Sequence, residues 1–296
     1  MKTIAFIGTG AIGSRMAANL IKGGFKLRAW NRNAAKAQAL APLGATVCAT
    51  PAEAAQGADA VVTIVADDAA TEAVTLGTDG TLSGAAPGTL FIDSTTATPG
   101  MARKLASACR ERGCEFLDAP VSGSLVQAEG RELVFMVGGE EAAFARGEPV
   151  MKAMGRMARL AGPSGAGATV KLVNNMLSGT LTAAIAEAAA ITEAAGVDRA
   201  VVQEILNEGA ASSRLLKNKL PKIFERNFTP QFQLELMEKD LRYFLSLAQE
   251  LDRPAPIASL VRSQYQAARR AAFGKLDACA VFLQATGEKP PHEGKP

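Results

Sequence analysis

Histidine is nearly missing from this chain. The single one among 296 residues is His292, in a Lys/Pro/Gly-rich stretch from Gly287 to Pro296 that reads as a disordered tail. Imidazole is the side chain that most often moves protons in enzymes, so any proton transfer here must fall to another residue type. Cysteine is scarce too. Cys48, Cys109, Cys114 and Cys279 are scattered without metal-type spacing, which predicts free thiols in a reducing compartment and no metal. Aromatic residues make up 5 % of the chain against 48 % hydrophobic residues overall, so the core must be built from Ala, Leu, Val and Ile. Charge of one sign is also lacking: 32 basic against 29 acidic side chains leave +3, too little to argue for nucleic acid. No apolar run reaches the ~18 residues of a membrane span. A strand pattern starting at Thr3 leads us to expect no signal peptide and a cytoplasmic location.

What is present begins at once. The apolar run Ile4 to Ile7 feeds into Gly8-Thr9-Gly10-Ala11-Ile12-Gly13, and a helical pattern follows through Met16, Ala17, Leu20 and Ile21. Strand, glycine turn and helix stand in the order of a dinucleotide-binding unit. Gly8 permits the turn, Gly10 lets backbone approach a pyrophosphate, and Gly13 lets helix pack against strand. The helix N-terminus offers free N–H groups to the anion. The competing reading is a turn that only joins two packed elements.

Strand patterns near 3–7, 26–31, 46–48, 60–65, 89–92, 115–118, 131–137 and 157–161 alternate with helical ones. This predicts an α/β Rossmann-type, doubly wound parallel sheet. After Gly162-Pro163-Ser164-Gly165 the character changes. One long Ala-rich helical pattern runs from Ala166 to about Ala195, followed by helices near 198–208, 213–224, 234–251 and 256–285. The expected organisation is a nucleotide-binding domain over 1–164, a helical substrate and oligomerisation domain over 165–286 reached through the long helix, and the tail 287–296.

Several residues fall where chemistry would be done. At the end of the second strand, where NAD-binding versions commonly carry Asp or Glu, this chain has Asn31-Arg32. A carboxylate would repel a 2′-phosphate, whereas Asn can donate to it and Arg can pair with it. NADP(H) is therefore expected in preference to NAD(H), with Arg32 as a solvated surface charge the competing reading. Ser94-Thr95-Thr96-Ala97-Thr98-Pro99 ends the fifth strand; Thr98 before Pro99 reads as a helix N-cap, which leaves Thr95 and Thr96 for a cofactor or for nothing. Asp118-Ala119-Pro120-Val121-Ser122-Gly123-Ser124 is a loop with exposed N–H groups, able to bind a carboxylate or to be an ordinary turn. Lys171 and Asn175 share a helix face at i, i+4, as a functional pair or as a solvated charge beside a polar neighbour.

Taken in order, these motifs resemble the β-hydroxyacid dehydrogenase family, which includes 3-hydroxyisobutyrate dehydrogenases, tartronate semialdehyde reductases and glyoxylate/succinic semialdehyde reductases. The resemblance runs from the glycine turn to about Phe282 and rests on four runs: Gly8-x-Gly10-x-x-Gly13-x-x-Met16-Ala17-x-Asn19-Leu20, Asp118-x-Pro120-Val121-Ser122-Gly123 with Gly138-Gly139, Gly165-x-Gly167-x-x-x-Lys171-x-x-x-Asn175, and Lys239-Asp240. It implies a reductase that interconverts a small β-hydroxy acid and its semialdehyde with NADP(H). By the same resemblance Lys171 is the catalytic acid and base, Asn175 orients substrate, and Ser122 with Gly123 holds its carboxylate. Thr96 touches the nicotinamide part, Val65 and Ala66 lie along the cofactor, and Lys239 with Asp240 closes over it. Two departures stand beside the carboxylate loop: Ser124 and Gln127 occupy positions where the family usually has glycine. The alternatives are an imine reductase of the same architecture, which usually has Asp or Tyr at the Lys171 position, and a non-catalytic NADP(H)-binding protein. The apolar wealth of the helical half predicts a homodimer or homotetramer, with a small carboxylate as the other partner.

Overall fold

The computed structural model describes residues 1–290. Its strands are β1 (Thr3–Ile7), β2 (Lys26–Trp30), β3 (Thr46–Val47), β4 (Ala60–Thr63), β5 (Leu90–Asp93), β6 (Glu115–Asp118), β7 (Val121–Ser122), β8 (Leu133–Gly139) and β9 (Gly155–Gly162). The helices of this half are α1 (Ala11–Lys22), α2 (Ala34–Gln38), α3 (Pro51–Ala55), α4 (Asp68–Leu76), α5 (Thr81–Gly84), α6 (Pro99–Glu111), α7 (Leu125–Glu129) and α8 (Glu141–Met154). The strands form one sheet in the order β3-β2-β1-β4-β5-β6-β8-β7, with β9 paired to β8.

Strand residues alternate between two buried faces, as helices on both sides of a sheet require. Ile4 and Phe6 point into a core shared with Met16 and Leu20 of α1 and Val150, Met151 and Met154 of α8. Ala5 and Ile7 point the other way, among Ala54, Leu105 and Cys109. The four cysteines are free and buried. Burial pushes the Cys109 thiol up to about 12, so it is inert as a nucleophile.

The sheet is parallel from β3 through β6, but β8 runs antiparallel to both β6 and β7. A parallel return needs a crossover of a dozen or more residues, usually helical. Between β6 and β8 the chain provides only β7 and the five-residue α7, so it doubles back instead. The sequence pattern did not disclose β7, α5 or α7, each too short for periodicity to register.

The second half is helical: α9 (Ala166–Ala194), α10 (Arg199–Glu208), α11 (Arg214–Phe224), α12 (Leu234–Glu250), α13 (Pro256–Ala268) and α14 (Val281–Thr286). The described chain divides into two compact units within α9, after Lys171. The second unit has its own core, with Ile185, Leu220, Ile223, Leu241, Tyr265 and Phe282 at its centre. Burial raises the Tyr265 phenol above its ordinary value, and its hydroxyl donates to Gly179 O at 3.2 Å.

The single helix expected over 256–285 is in fact broken. Ala272 adopts φ +68°, and the chain leaves helix before Asp277. Asp277 is fully buried, and its carboxylate collects Lys219 Nζ at 2.7 Å, Gln231 N–H at 2.8 Å, Cys279 N–H at 3.2 Å and Phe232 N–H at 3.3 Å. A carboxylate with so many donors could not be satisfied inside a continuous helix, whose own N–H groups are already spent. Beyond α14, Gly287 takes a left-handed cap, and Glu288 pairs with Arg226 through two contacts of 2.8 Å. Residues 291–296 of the expected tail, with His292, lie outside the described residues.

Candidate active site

The glycine turn shows three different needs. Gly8 has φ +98°, and a Cβ there would stand 2.0 Å from Ile64 O. A Cβ on Gly13 would stand 2.0 Å from Gly8 O, so α1 can press against the turn only with glycine. A Cβ on Gly10 would meet nothing within 4 Å. The middle glycine therefore leaves space rather than filling it, as a backbone that receives a ligand would. No acidic residue occupies the first turn of α1, and Thr9 Oγ1 is buried without a hydrogen-bond partner. Ala11, Ile12 and Gly13 form that first turn, with their N–H groups at the positive end of the helix. These residues fit a dinucleotide pyrophosphate.

Asn31 and Arg32 part company. Asn31 Oδ1 accepts from Thr9 N–H at 3.1 Å, and its Nδ2 donates to Asn33 O at 3.0 Å. It braces the end of β2 against the glycine turn. Arg32 is exposed and has no ion pair among the described residues, as a solvated surface charge or an anion contact would be.

Past β4, Val65 N–H donates to Thr95 Oγ1 at 3.0 Å, and the exposed Ala66 follows. Thr95 is thus a brace between the ends of β4 and β5, and the next residue, Thr96, is half-buried. Thr98 caps α6, accepting from Met101 N–H at 3.2 Å, while its own hydroxyl donates to Asp68 at 2.7 Å. Asp93, at the end of β5, is buried, and desolvation pushes its carboxyl up to about 7 despite hydrogen bonds from Thr95.

Ser122 ends β7 half-buried, and Gly123 follows with φ +142°. A Cβ on Gly123 would lie 2.7 Å from Leu133 Cδ2 and 3.0 Å from Gln127 Cβ. The next turn is closed by the two departures from the family pattern. Gln127 Oε1 accepts from Ser124 N–H at 2.9 Å and from Ser124 Oγ at 2.5 Å. The short helix they start is anchored from below by buried Asn19, whose Nδ2 donates to Ala128 O at 2.7 Å.

The head of α9 is set by a carboxylate far away in sequence. Asp118, buried at the end of β6, accepts from Gly165 N–H and Ala168 N–H, both at 2.8 Å. Burial raises its carboxyl, and these amides oppose the shift. The approach is close enough to require glycine on both sides: a Cβ on Gly167 would stand 2.3 Å from Met136 O, and one on Gly138 2.6 Å from Asp118 Oδ1. Lys171 lies one turn beyond Gly167. It is 8 % exposed, which removes the solvated-charge reading. Asp118 and Gly138 stood in the motifs, yet no sequence signal says that this carboxylate caps that helix.

In the second unit, Asn175 is buried, and its Nδ2 donates to Asp240 Oδ2 at 2.6 Å, while Asn174 Nδ2 donates to Asn175 Oδ1 at 3.0 Å. Lys239 Nζ pairs with the other Asp240 oxygen at 3.1 Å and lies 4.8 Å from the Tyr243 ring centroid. Asn175, Lys239 and Asp240 are thus one network that fixes the plane of the Asn175 amide. Leu172 turns away into a small apolar cluster with Tyr243 and Leu247. Among the described residues no cluster of His, Cys, Asp and Glu could hold a metal ion.

A Rossmann-type sheet with a glycine turn open at its middle residue, followed by a helical unit on a long helix, is an architecture that fits an NAD(P)-dependent oxidoreductase. Known proteins narrow the class. Residues 3–162 match the family model of the NAD-binding domain of 6-phosphogluconate dehydrogenase. Residues 165–283 match that of the NAD-binding region of NADP-dependent 3-hydroxyisobutyrate dehydrogenase. The NAD-dependent L-serine dehydrogenase of Pseudomonas aeruginosa is 36 % identical over 95 % of this chain and 97 % of its own length. The L-threonate dehydrogenase of Cupriavidus necator is 34 % identical over 95 % of each. The solved 3-hydroxyisobutyrate dehydrogenase of Mycobacterium tuberculosis with L-serine has a TM-score of 0.87 at 32 % identity, covering 96 % of this chain and 99 % of that one. The chain belongs to the β-hydroxyacid dehydrogenase family, whose members act on CH–OH groups with a pyridine nucleotide.

Proposed function

We propose that the protein interconverts a small β-hydroxy acid and its semialdehyde, a 2- or 3-oxo acid, with NADP(H), and that Lys171 is the general acid and base. The observation that carries this reading is the buried Lys171, held one turn into a helix whose start is locked by Asp118. The single histidine is His292, so imidazole does not supply the proton carrier among the described residues. L-Serine and L-threonate, the compounds in the relatives' names, both carry a hydroxyl β to a carboxylate.

The nicotinamide, when bound, supplies or accepts the hydride. The protein does the rest. In reduction the Lys171 ammonium hydrogen-bonds the carbonyl oxygen and gives its proton to the oxygen as negative charge develops there. In oxidation the neutral amine takes the hydroxyl proton. Ser122 and Gly123 hold the carboxylate, and Asn175, its amide plane set by Asp240 and Asn174, orients the reacting end. Gly8 to Gly13 hold the pyrophosphate, with Val65, Ala66 and Thr96 along the rest of the cofactor. The Lys239–Asp240 pair serves the cofactor through its charge and Asn175 through its carboxylate.

Preference for NADP(H) rests on Arg32, exposed at the end of β2 where no carboxylate stands. Rates followed by NADPH absorbance over short semialdehydes, glyoxylate and imines test the whole reading, with NADH in parallel. We expect turnover of carboxylate-bearing aldehydes with NADPH favoured. Arg32→Ala should raise KM for NADPH by about 10- to 100-fold, the size of a lost charge-assisted contact, and change NADH little. Turnover of imines alone, or an NADPH KM in Arg32→Ala within about twofold of the unaltered value, contradicts the reading.

The helical unit supports self-association. Val173, Leu177 and Ile191 lie along one face of α9 at 41 %, 60 % and 71 % exposure, with Ala184 and Ala188 exposed between them. Apolar rows of this kind on a long helix fit a second copy. Sedimentation should show a dimer or tetramer, which Leu177→Glu weakens; a strict monomer at micromolar concentration removes the claim. No helix of the described residues is long and apolar enough to cross a membrane.

A further inference from the structure

Ser124 and Gln127 meet in one contact. Because Gln127 Oε1 accepts from Ser124 N–H and Ser124 Oγ, the Ser124 N–H is withdrawn from any ligand. A loop expected to bind a carboxylate through backbone donors therefore has one fewer in this chain. The same contact creates a replacement. A carboxamide is planar, so pinning its oxygen with two donors fixes its nitrogen. Gln127 Nε2 keeps both of its hydrogens, without a partner among the described residues. Its side chain starts directly against Gly123, where an added Cβ would lie 3.0 Å from Gln127 Cβ. The base of the side chain cannot drift, because the neighbouring Ala128 is buried and its carbonyl is held by Asn19.

The choice of glutamine is informative. Three residues past a helix-capping serine, glutamate closes the capping box as well as glutamine does. Glutamate would satisfy Ser124 equally but would set a negative charge and no donor beside the anion loop. Glutamine keeps the cap and adds a neutral donor.

We propose that Gln127 is a specificity-determining residue: its side-chain amide, pinned by Ser124, donates to the substrate carboxylate in place of the Ser124 backbone N–H. The inference rests on the functional reading above, in which Ser122 and Gly123 hold that carboxylate.

Gln127→Glu separates this role from a structural one. The cap survives, so the thermal midpoint and the dissociation constant for NADPH should stay as they are. KM for carboxylate-bearing aldehydes should rise by about 10- to 100-fold, with a smaller change in kcat, as expected for a lost hydrogen bond to a charged group. An aldehyde of the same length with an amide in place of the carboxylate should show no such rise. Ser124→Ala, which removes one of the two pins, should give a smaller rise of the same selectivity. A carboxylate KM within about twofold of the unaltered protein in Gln127→Glu overturns the inference, as does an equal rise for the amide analogue. No turnover of any aldehyde by the unaltered protein overturns the functional reading instead, and the inference with it.

Discussion

Lys171→Ala is expected to lower kcat by about 10²- to 10⁴-fold, the usual contribution of a positioned acid or base, with NADPH binding largely intact. The expectation is this large because the proposed reaction passes its proton through this one amine. Lys171 is buried on a helix whose first turn is clamped by Asp118 and by the Gly138–Gly167 contact, so its position is set by the sheet. Asn175, its neighbour one turn on, has an amide that gives a hydrogen bond but no proton, and it is tied to Asp240 and Asn174. The pH dependence has a definite sign. In the proposed mechanism reduction uses the ammonium, so its rate falls as pH rises through the amine's titration. Oxidation uses the free amine, so its rate climbs with pH through the same titration. Stopped-flow and steady-state rates in both directions, with NADPH binding by fluorescence, check all of this. Near-normal turnover in Lys171→Ala removes Lys171 from the mechanism.

Asp277→Ala should destabilise the protein by about 3–5 kcal/mol, the usual cost of leaving a buried charge without its partner. Lys219 and Asp277 have side chains 7 % and 0 % exposed, and their charged atoms lie 2.7 Å apart. Burial alone would raise the Asp277 carboxyl, but the Lys219 ammonium and the backbone N–H groups outweigh it and hold it below its ordinary value. A lowered carboxyl stabilises the fold above its unfolded value and loses that contribution as pH falls through its folded one. Asp277→Asn should therefore flatten the acid limb of the stability curve. Lys219→Met with Asp277→Leu, which removes both charges, should cost less than Asp277→Ala. Urea unfolding followed by circular dichroism reads each value. A loss below about 1 kcal/mol in Asp277→Ala would mean that water solvates Lys219 in the variant.

How much of this was legible in advance depended on the range of the interaction. The glycine turn could be read because turn, close approach and helix start lie within thirteen residues, each with its own steric requirement. The N-cap at Thr98 could be read for the same reason. The break at Asp277 was hidden, since a charged residue in an apolar-periodic stretch gives no sign that four donors from separate segments converge on it. Asn31 was read as a phosphate donor from its place at the end of the second strand, where a carboxylate is common; that its amide also braces Thr9 and Asn33 is visible only in the fold. The coupling of Ser124 to Gln127 fits a capping-box spacing, yet the helix it starts is too short to be seen by periodicity.

The sequence by itself determined the class. Hydrophobic periods set the strands and helices, the three glycines set a nucleotide turn, and the near-absence of histidine left any proton transfer to another residue type, for which the family resemblance put Lys171 forward. These are local properties, decided by sterics and side-chain chemistry within a few residues. Tertiary structure alone decided that Asp118 starts the helix carrying Lys171, that Asp240 orients Asn175, and that Asp277 breaks the last helices. Each depends on a buried polar group finding donors from distant segments. Such a group cannot stay unpaired away from water, and only the folded chain shows which partner it takes.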